Sequence, residues 1–537
     1  MYFKKLLLFP ALALSLSPLL LCAQPISIDD EVGYPESCTS IMVGKAASTD
    51  GSVITTHSCD GNYRTWVRFE PAKSFKPGEL EPVYWGLLHT EQPHDMRNVE
   101  KRGEIPAPSK TYAYLNVAYP CMNEMQLAIG ETTTTGKREL MNPEGLFLIE
   151  ELERIALQRC TTAREAIQLM GKLAEQYGYG DAGECLTVAD PHEVWHFEIY
   201  GSGPGKPSAL WVAQRIPDDH VGVSANIPRI GKVDFNDVKN FMYSSDLKER
   251  SQKLGYWDGK DPYIFWKVVS SGTKAYAIRE FFILSSLSPS LQLNMDGDEL
   301  PFSVKPDQKV SVQDVMSFYR QTYEGTPYDQ MQNLFVTQTT RDQGGNETSE
   351  IIPSPATSNF MSNDMRNLLN TLKPGVVERQ RTIAIVGCSY SHVIQLRSWL
   401  PNEIGGVAHL SFDSPALSPR IPIYTGTIAL PENFAVCGQH RYRTDAAIWS
   451  FRETNRIALV NWTRSRTLLE PEQMRFEEKH FSQAPTLEAQ ALSLINEGKN
   501  SEAQKLLTTY THDFASLAAQ KWSEMKATLW TLFARGF

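Results

Sequence analysis

Apolar positions first alternate and then stretch to a helical period along this chain. Ile41 and Val43 stand two apart in a short run that begins at Thr39, and a second run covers 52–56, which predicts two strands. Thr49-Asp50-Gly51 between them is a hairpin turn signal, and Cys38 stands at the head of the first strand. Two more strands are predicted at 112–118 and 126–132, around the turn-like Met122-Asn123-Glu124. The period then changes. Leu148, Ile149, Leu152, Ile155 and Ala156 form one helical stripe. Thr162 with Glu165 makes a capping box ahead of a second stripe through Ile167, Met170, Leu173 and Ala174. Strand patterns return at 185–189, 194–200, 210–214 and 221–224, with later apolar strands at 381–387 and 407–410. Residues 71–110, rich in Pro, Gly and charge, predict long surface loops, and 235–375 mixes helix and loop. In the tail, Leu487, Ala491, Leu494 and Ile495 stripe a helix over 486–496 that Gly498 ends, and Phe514, Leu517, Ala518, Met525, Leu529 and Phe533 stripe the last one. Strands, a helix pair and strands again predict an α+β fold, with helices layered on antiparallel sheets.

The first residues read as targeting rather than fold. Lys4 and Lys5 precede an apolar stretch, 6–21, broken by two prolines and two serines and followed by the small Ala23, which is the order of a secretory signal. The stretch is short of the roughly 20 apolar residues that a membrane span needs. The polar, acidic and turn-rich 24–37 read as a propeptide. The expected division is therefore 1–23 signal, 24–37 propeptide, 38–480 main domain and 481–537 C-terminal helical segment, in an exported protein, periplasmic or extracellular. At 537 residues, with 42% hydrophobic and 21% charged residues, the chain has material for a large core. A net charge of -10 with no basic block argues against nucleic acid or an anionic membrane as partner. Of eight cysteines, Cys22 leaves with the signal. Apart from Cys38, the other six are enough for three bridges, or they serve as small buried hydrophobes; spacing does not decide.

A cysteine that becomes a chain terminus carries its own base. The free α-amine has an ordinary pKa of about 8, and the thiol is the best side-chain nucleophile near neutrality. The segment CTSIMVGKAASTDGSVITTHSCD, 38–60, resembles the opening of the bacterial N-terminal-cysteine dipeptidases. These are N-terminal-nucleophile hydrolases, related more distantly to bile-salt and penicillin-V amidases. MNEMQLAIGETT (122–133), TVADPHEVWHFEI (187–199), WVAQRIPDDHVGVSANIPRIG (211–231), YSHVIQLRSWLPNEIGGV (390–407) and AAIWSFRE (446–453) resemble further blocks of that family in the same order. The resemblance implies an αββα sandwich of two antiparallel sheets between helix layers, and hydrolysis of dipeptides with a free N-terminus. By position it makes Cys38 the nucleophile and Asp60 the carboxylate that holds the α-amine. Asn226 becomes the side-chain donor of the oxyanion hole, and Asn123 a helper of that hole or of the amine. Relatives often carry arginine three residues before the aspartate; His57 stands there, and an imidazole titrates where a guanidinium does not. His57 therefore predicts a thiolate whose reactivity depends on pH between 5 and 8.

His192-Glu193-Val194-Trp195-His196 satisfies H-E-x-x-H, the zinc-protease pattern, which works only on a helix. Asp190-Pro191 and the Val, Trp, Phe and Ile around it predict a strand. On a strand, residues four apart lie roughly 13 Å from each other, too far to share one ion, so no metal and no cofactor is expected. Two other readings stay open: an amidase for non-peptide C–N bonds in the same fold, and an exported binding protein without catalysis. The sequence also leaves open whether copies associate as a homo-oligomer.

Overall fold

A computed structural model describes residues 37–535 except 135, 206, 261, 271, 273–275 and 298, so the expected signal and nearly all of the expected propeptide lie outside the described residues. Two antiparallel sheets carry the fold. The first runs β14 (Ser303–Val304), β12 (Val221–Ser224), β1 (Ser40–Val43), β2 (Val53–Asp60), β17 (Cys388–Leu396), β18 (Gly406–Phe412), β19 (Ile421–Tyr424). The second runs β13 (Phe241–Tyr243), β11 (Ala209–Arg215), β10 (Val194–Gly201), β9 (Glu184–Ala189), β8 (Ala128–Thr133), β7 (Met122–Asn123), β6 (Tyr114–Asn116), β3 (Arg68–Glu70). Two hairpins stand apart, β4 (Leu80–Trp85) with β5 (Glu100–Pro106), and β15 (Phe335–Arg341) with β16 (Glu347–Pro353). The first of these lies inside the stretch expected to be loop.

The sheets meet face to face through hydroxyls as well as hydrocarbon, Met42, Val53 and Ile394 of the first sheet lying in one cluster with Met122 and Ala128 of the second. Thr55 bonds Thr187, Thr132 Oγ1 lies 2.6 Å from Ser224 Oγ, and Ser40 Oγ donates to Glu131 O. Gly130 allows the close approach: a Cβ there would sit 2.3 Å from the carbonyl oxygen of Thr56. Helices cover both outer faces. On one, α1 (Ile149–Arg159) and α2 (Ala163–Tyr177) bury Leu152, Ile155, Ile167 and Met170 with Leu186, Phe197 and Trp211 of the second sheet. The expected capping box of Thr162 and Glu165 is present. On the other, α3 (Ile278–Leu287) and α4 (Val312–Phe318) bury Phe281, Leu284, Val315 and Met316 with Ile41, Val43, Ile54 and Val393. This is the expected αββα sandwich. With both faces of each sheet covered, β1, β2, β9, β10 and β17 are buried at every position, which is why their alternation is muted in the sequence.

Two expectations are corrected. The apolar stretch 381–387 is irregular; the strand lies just after it, at β17, whose Ser, His and Gln residues mask it. The helix expected over 486–496 is the last third of α6 (Trp462–Asn496), which runs through Pro471 and Pro485. A proline inside a helix costs about 3 kcal/mol, and the burial of Leu469, Phe476, Leu487 and Ala491 offsets it. The boundary expected between 480 and 481 thus falls within α6. After Gly498 the chain returns as α7 (Asn500–Leu532), and with α5 (Ala447–Val460) it joins the same core as β18 and β19. No helix among the described residues is long and apolar enough to cross a membrane. Cys38, Cys59, Cys121, Cys160, Cys185, Cys388 and Cys437 are buried and outside any disulfide, so the six act as small hydrophobes rather than bridges.

Candidate active site

Strand register brings the site together. β1 pairs antiparallel with β12, Ser40 opposite Ser224, and continuing that register two residues sets Cys38 opposite Asn226. On the other side Thr39 bridges Ser58, and Ser37 N donates to Asp60 O at 3.0 Å. Cys38 therefore sits at one end of the sheet, between the strand end that carries Asp60 and the loop that carries Asn226. In the uncut chain it is completely buried.

Asn226 has a left-handed backbone, φ 65°, and a fixed side chain. Its Nδ2 donates to Thr133 O at 2.6 Å, and its Oδ1 accepts from Arg279 Nη2 at 2.9 Å. Only one Nδ2 hydrogen is thereby used, and the residue is partly exposed. The loop behind it is anchored by Glu198, whose Oε1 accepts from His196 Nε2 and from the backbone N–H groups of Arg229 and Ile230. His196 lies on β10 and His192 on the exposed turn before it, so the last three residues of H-E-x-x-H lie on the expected strand, no part of it is helical, and its second histidine serves the loop anchor.

Asp60 Oδ2 accepts from Ser58 Oγ at 3.1 Å and from Arg381 Nη2 at 2.8 Å. Arg381 also reaches the residue before Cys38: its Nη2 is 2.9 Å from Ser37 O and 2.8 Å from Ser37 Oγ. Arg279, at the start of α3, grips the other side. Its Nη1 donates to Cys38 O at 2.6 Å and Thr39 Oγ1 at 3.0 Å, and its Nη2 to Ala225 O. Burial lowers the Arg279 pKa only to about 10, so it stays a cation at neutral pH. Neither arginine is apparent in the sequence: both lie more than two hundred residues from Cys38, outside any motif, and only the fold brings them in.

Cys38 Sγ, a ring nitrogen of His57 and a carboxylate oxygen of Glu131 all lie within 4.8 Å of one another, a third contribution that the sequence does not announce. Burial pushes the Cys38 thiol well up, and the nearby Glu131, Cys59 and Asp60 add to it. Glu131 and Glu184 are hydrogen-bonded buried carboxyls, both pushed up by desolvation, and the Glu131 charge pushes Glu184 up further.

Two of the expected roles are corrected. Asn123 spends its whole amide on backbone: Nδ2 donates to Leu157 O and Cys160 O, at the end of α1, and Oδ1 accepts from Met125 N and Leu127 N. It holds a turn against a helix and has no donor left for an oxyanion. His57 is fully buried, with Nδ1 2.6 Å from Glu131 O, and desolvation lowers its pKa to about 4. It is neutral throughout pH 5–8 and does not supply the expected pH dependence. It sets an acid limit on stability instead. Between its ordinary 6.5 and about 4, the unfolded chain binds a proton that the folded chain refuses. Stability from this group is full above pH 6.5 and lost as pH falls to 4, a change of roughly 3 kcal/mol. Urea unfolding between pH 7 and 4 should show His57→Gln losing stability with acid less steeply than wild type, by one proton.

The family model described as Peptidase family C69 matches residues 37–474, starting one residue before Cys38. The chain belongs to peptidase family C69. As a C69 member it is a peptide hydrolase, and the match takes in both sheets and both helix layers. The chain is 25% identical over 420 residues to a probable dipeptidase of Latilactobacillus sakei, covering 74% of this chain and 76% of that protein. It is 24% identical over 438 residues to dipeptidase A of Lactobacillus helveticus, covering 79% and 82%. It is 25% identical over 416 residues to a probable dipeptidase of Salmonella dublin, covering 74% and 82%.

Proposed function

We propose that this C69 peptidase is an exported dipeptidase whose nucleophile is the Cys38 thiol, working after residues 1–37 have been removed by the chain's own attack. The observation that carries the reading is the placement of Cys38 between Asp60 and Asn226, buried while its bond to Ser37 is intact. A free α-amine on Cys38 requires that the preceding residues leave. Once they do, the α-amine of Cys38 sits beside the Asp60 carboxylate and takes the thiol proton. The sulfur attacks the dipeptide carbonyl, and Asn226 Nδ2, held by Thr133 O and Arg279, donates to the oxyanion. The C-terminal amino acid leaves with a proton from the α-ammonium, and water releases the acyl-enzyme. The relatives' names support dipeptides as substrates, and the order of charge, apolar run and small residue in 1–23 supports export.

N-terminal sequencing of the purified active protein should begin at Cys38, and a substrate panel should show dipeptides cleaved in preference to N-acyl amino acids. An active chain that still carries Ser37, or a preference for the acyl compounds, would overturn the reading. Removing one oxyanion donor costs roughly 10²–10³ in kcat. Asn226→Ala should lose that much with KM nearly unchanged; a loss below threefold would take Asn226 out of the oxyanion hole.

A further inference from the structure

The proposed mechanism uses an α-amine as base, but the uncut chain has none. The nitrogen of Cys38 is then an amide whose lone pair is delocalised into the carbonyl, so cutting the Ser37–Cys38 bond needs other machinery. Two groups stand at that bond that dipeptide hydrolysis leaves unassigned. Arg381 donates Nη2 to the carbonyl oxygen of Ser37 at 2.9 Å, and this is the oxygen of the bond to be cut. It is held in place by Asp60 Oδ2 at 2.8 Å. A carboxylate oxygen of Glu131 lies within 4.8 Å of Cys38 Sγ. Arg279, by contrast, is on the carbonyl of Cys38 itself, one peptide too late to act on the leaving bond. His57, neutral and weakly basic, gives Nδ1 to Glu131 O.

We infer that the uncut junction is a separate acyl-transfer site serving the chain's own Ser37–Cys38 bond, in which Glu131 takes the thiol proton and Arg381 holds the oxyanion. This rests on the reading that the chain cuts itself. The Cys38 proton passes to Glu131, and sulfur bonds to the Ser37 carbonyl carbon while its π electrons move to the oxygen facing Arg381. The carbon–nitrogen bond then breaks, and the nitrogen takes the proton back from Glu131 to become the free α-amine. This leaves Ser37 as a thioester on Cys38. Water adds hydroxide to that carbon and a proton to sulfur, freeing the leader's carboxyl and restoring the thiol. The first product of the site is thus the base that the second reaction uses, and Glu131 is needed once per molecule.

The test separates the two reactions. The chain from 24 to 537 is made by cell-free translation, and its cutting is followed by intact-mass spectrometry. A parallel chain begins at Met-Cys38, from which methionine aminopeptidase removes the Met, and is assayed on dipeptides. Glu131→Gln should slow cutting on the order of 10²-fold or more, a clearly larger factor than the one by which it changes kcat/KM in the pre-cut chain. Arg381→Gln should slow cutting by a similar factor, and Arg381→Lys should recover part of it. Cutting of Glu131→Gln within threefold of wild type would overturn the inference, as would equal losses in both chains. If the wild-type chain is cut only when another protease is added, the self-cutting reading fails and this inference with it. Wild-type self-cutting that survives Glu131→Gln sinks the inference alone.

Discussion

Cys38→Ala in the chain begun at Met-Cys38 is expected to lose dipeptide hydrolysis by roughly 10⁴-fold or more, the scale on which removing a covalent nucleophile acts. The substitution takes away one sulfur atom and leaves the α-amine, Asp60, Asn226 and both arginines in place. A loss of that size cannot then be blamed on the fold, and far-UV circular dichroism and the unfolding midpoint should match wild type. In the chain that carries its leader, the same substitution should leave Ser37 attached, because the sulfur is the attacker in both reactions. Titration of the pre-cut wild type with a thiol alkylating agent should abolish activity at one equivalent, with the label on Cys38; the other six thiols are buried in the core. Activity of Cys38→Ala within tenfold of wild type would remove the thiol from the mechanism.

The largest stability effect is expected far from the site, at Trp522. Its side chain is completely buried, Nε1 donates to Leu417 O at 3.0 Å, and the ring packs against Phe451 and Phe476. Thr454 Oγ1 donates to its carbonyl at 2.7 Å. One residue of α7 thus holds α5, α6 and the loop after β18. Trp522→Ala should cost about 3–5 kcal/mol, by lost burial and by the cavity left behind, and leave the Leu417 carbonyl without its donor. Urea unfolding at pH 7 measures it, and because α7 shares the main core, the lost stability should appear in one cooperative transition with the sheets. A separate early transition, with dipeptide hydrolysis unaffected, would mean that α7 is an appendage.

Local pattern determined a good deal about this protein. The helix pair with its Thr162–Glu165 box was written in a period of 3.6, and the strands expected at 185–189, 194–200, 210–214 and 221–224, with the refusal of a helical H-E-x-x-H, in short runs of strand-forming residues, all of which depend on near neighbours only. The positions of Cys38, Asp60 and Asn226 were legible because each lies at the end of a strand inside a recognisable block. Tertiary structure decided what long-range contacts alone can set. Asn123 and Asn226 are the same residue type beside similar turns. The carbonyls of Leu157 and Cys160 absorb the amide of the first, while Thr133 and Arg279 leave the second one hydrogen to give. His57 carries its ordinary titration in an isolated strand; enclosure beside Glu131 makes it neutral, because burial penalises the charged form. Arg279 and Arg381 belong to segments with no motif, and Glu131 to a block that does not single it out; all three become part of the site only when strand register and sheet stacking bring them within reach of Cys38. Secondary structure follows from neighbours along the chain, whereas charge state and hydrogen-bond supply follow from neighbours in space.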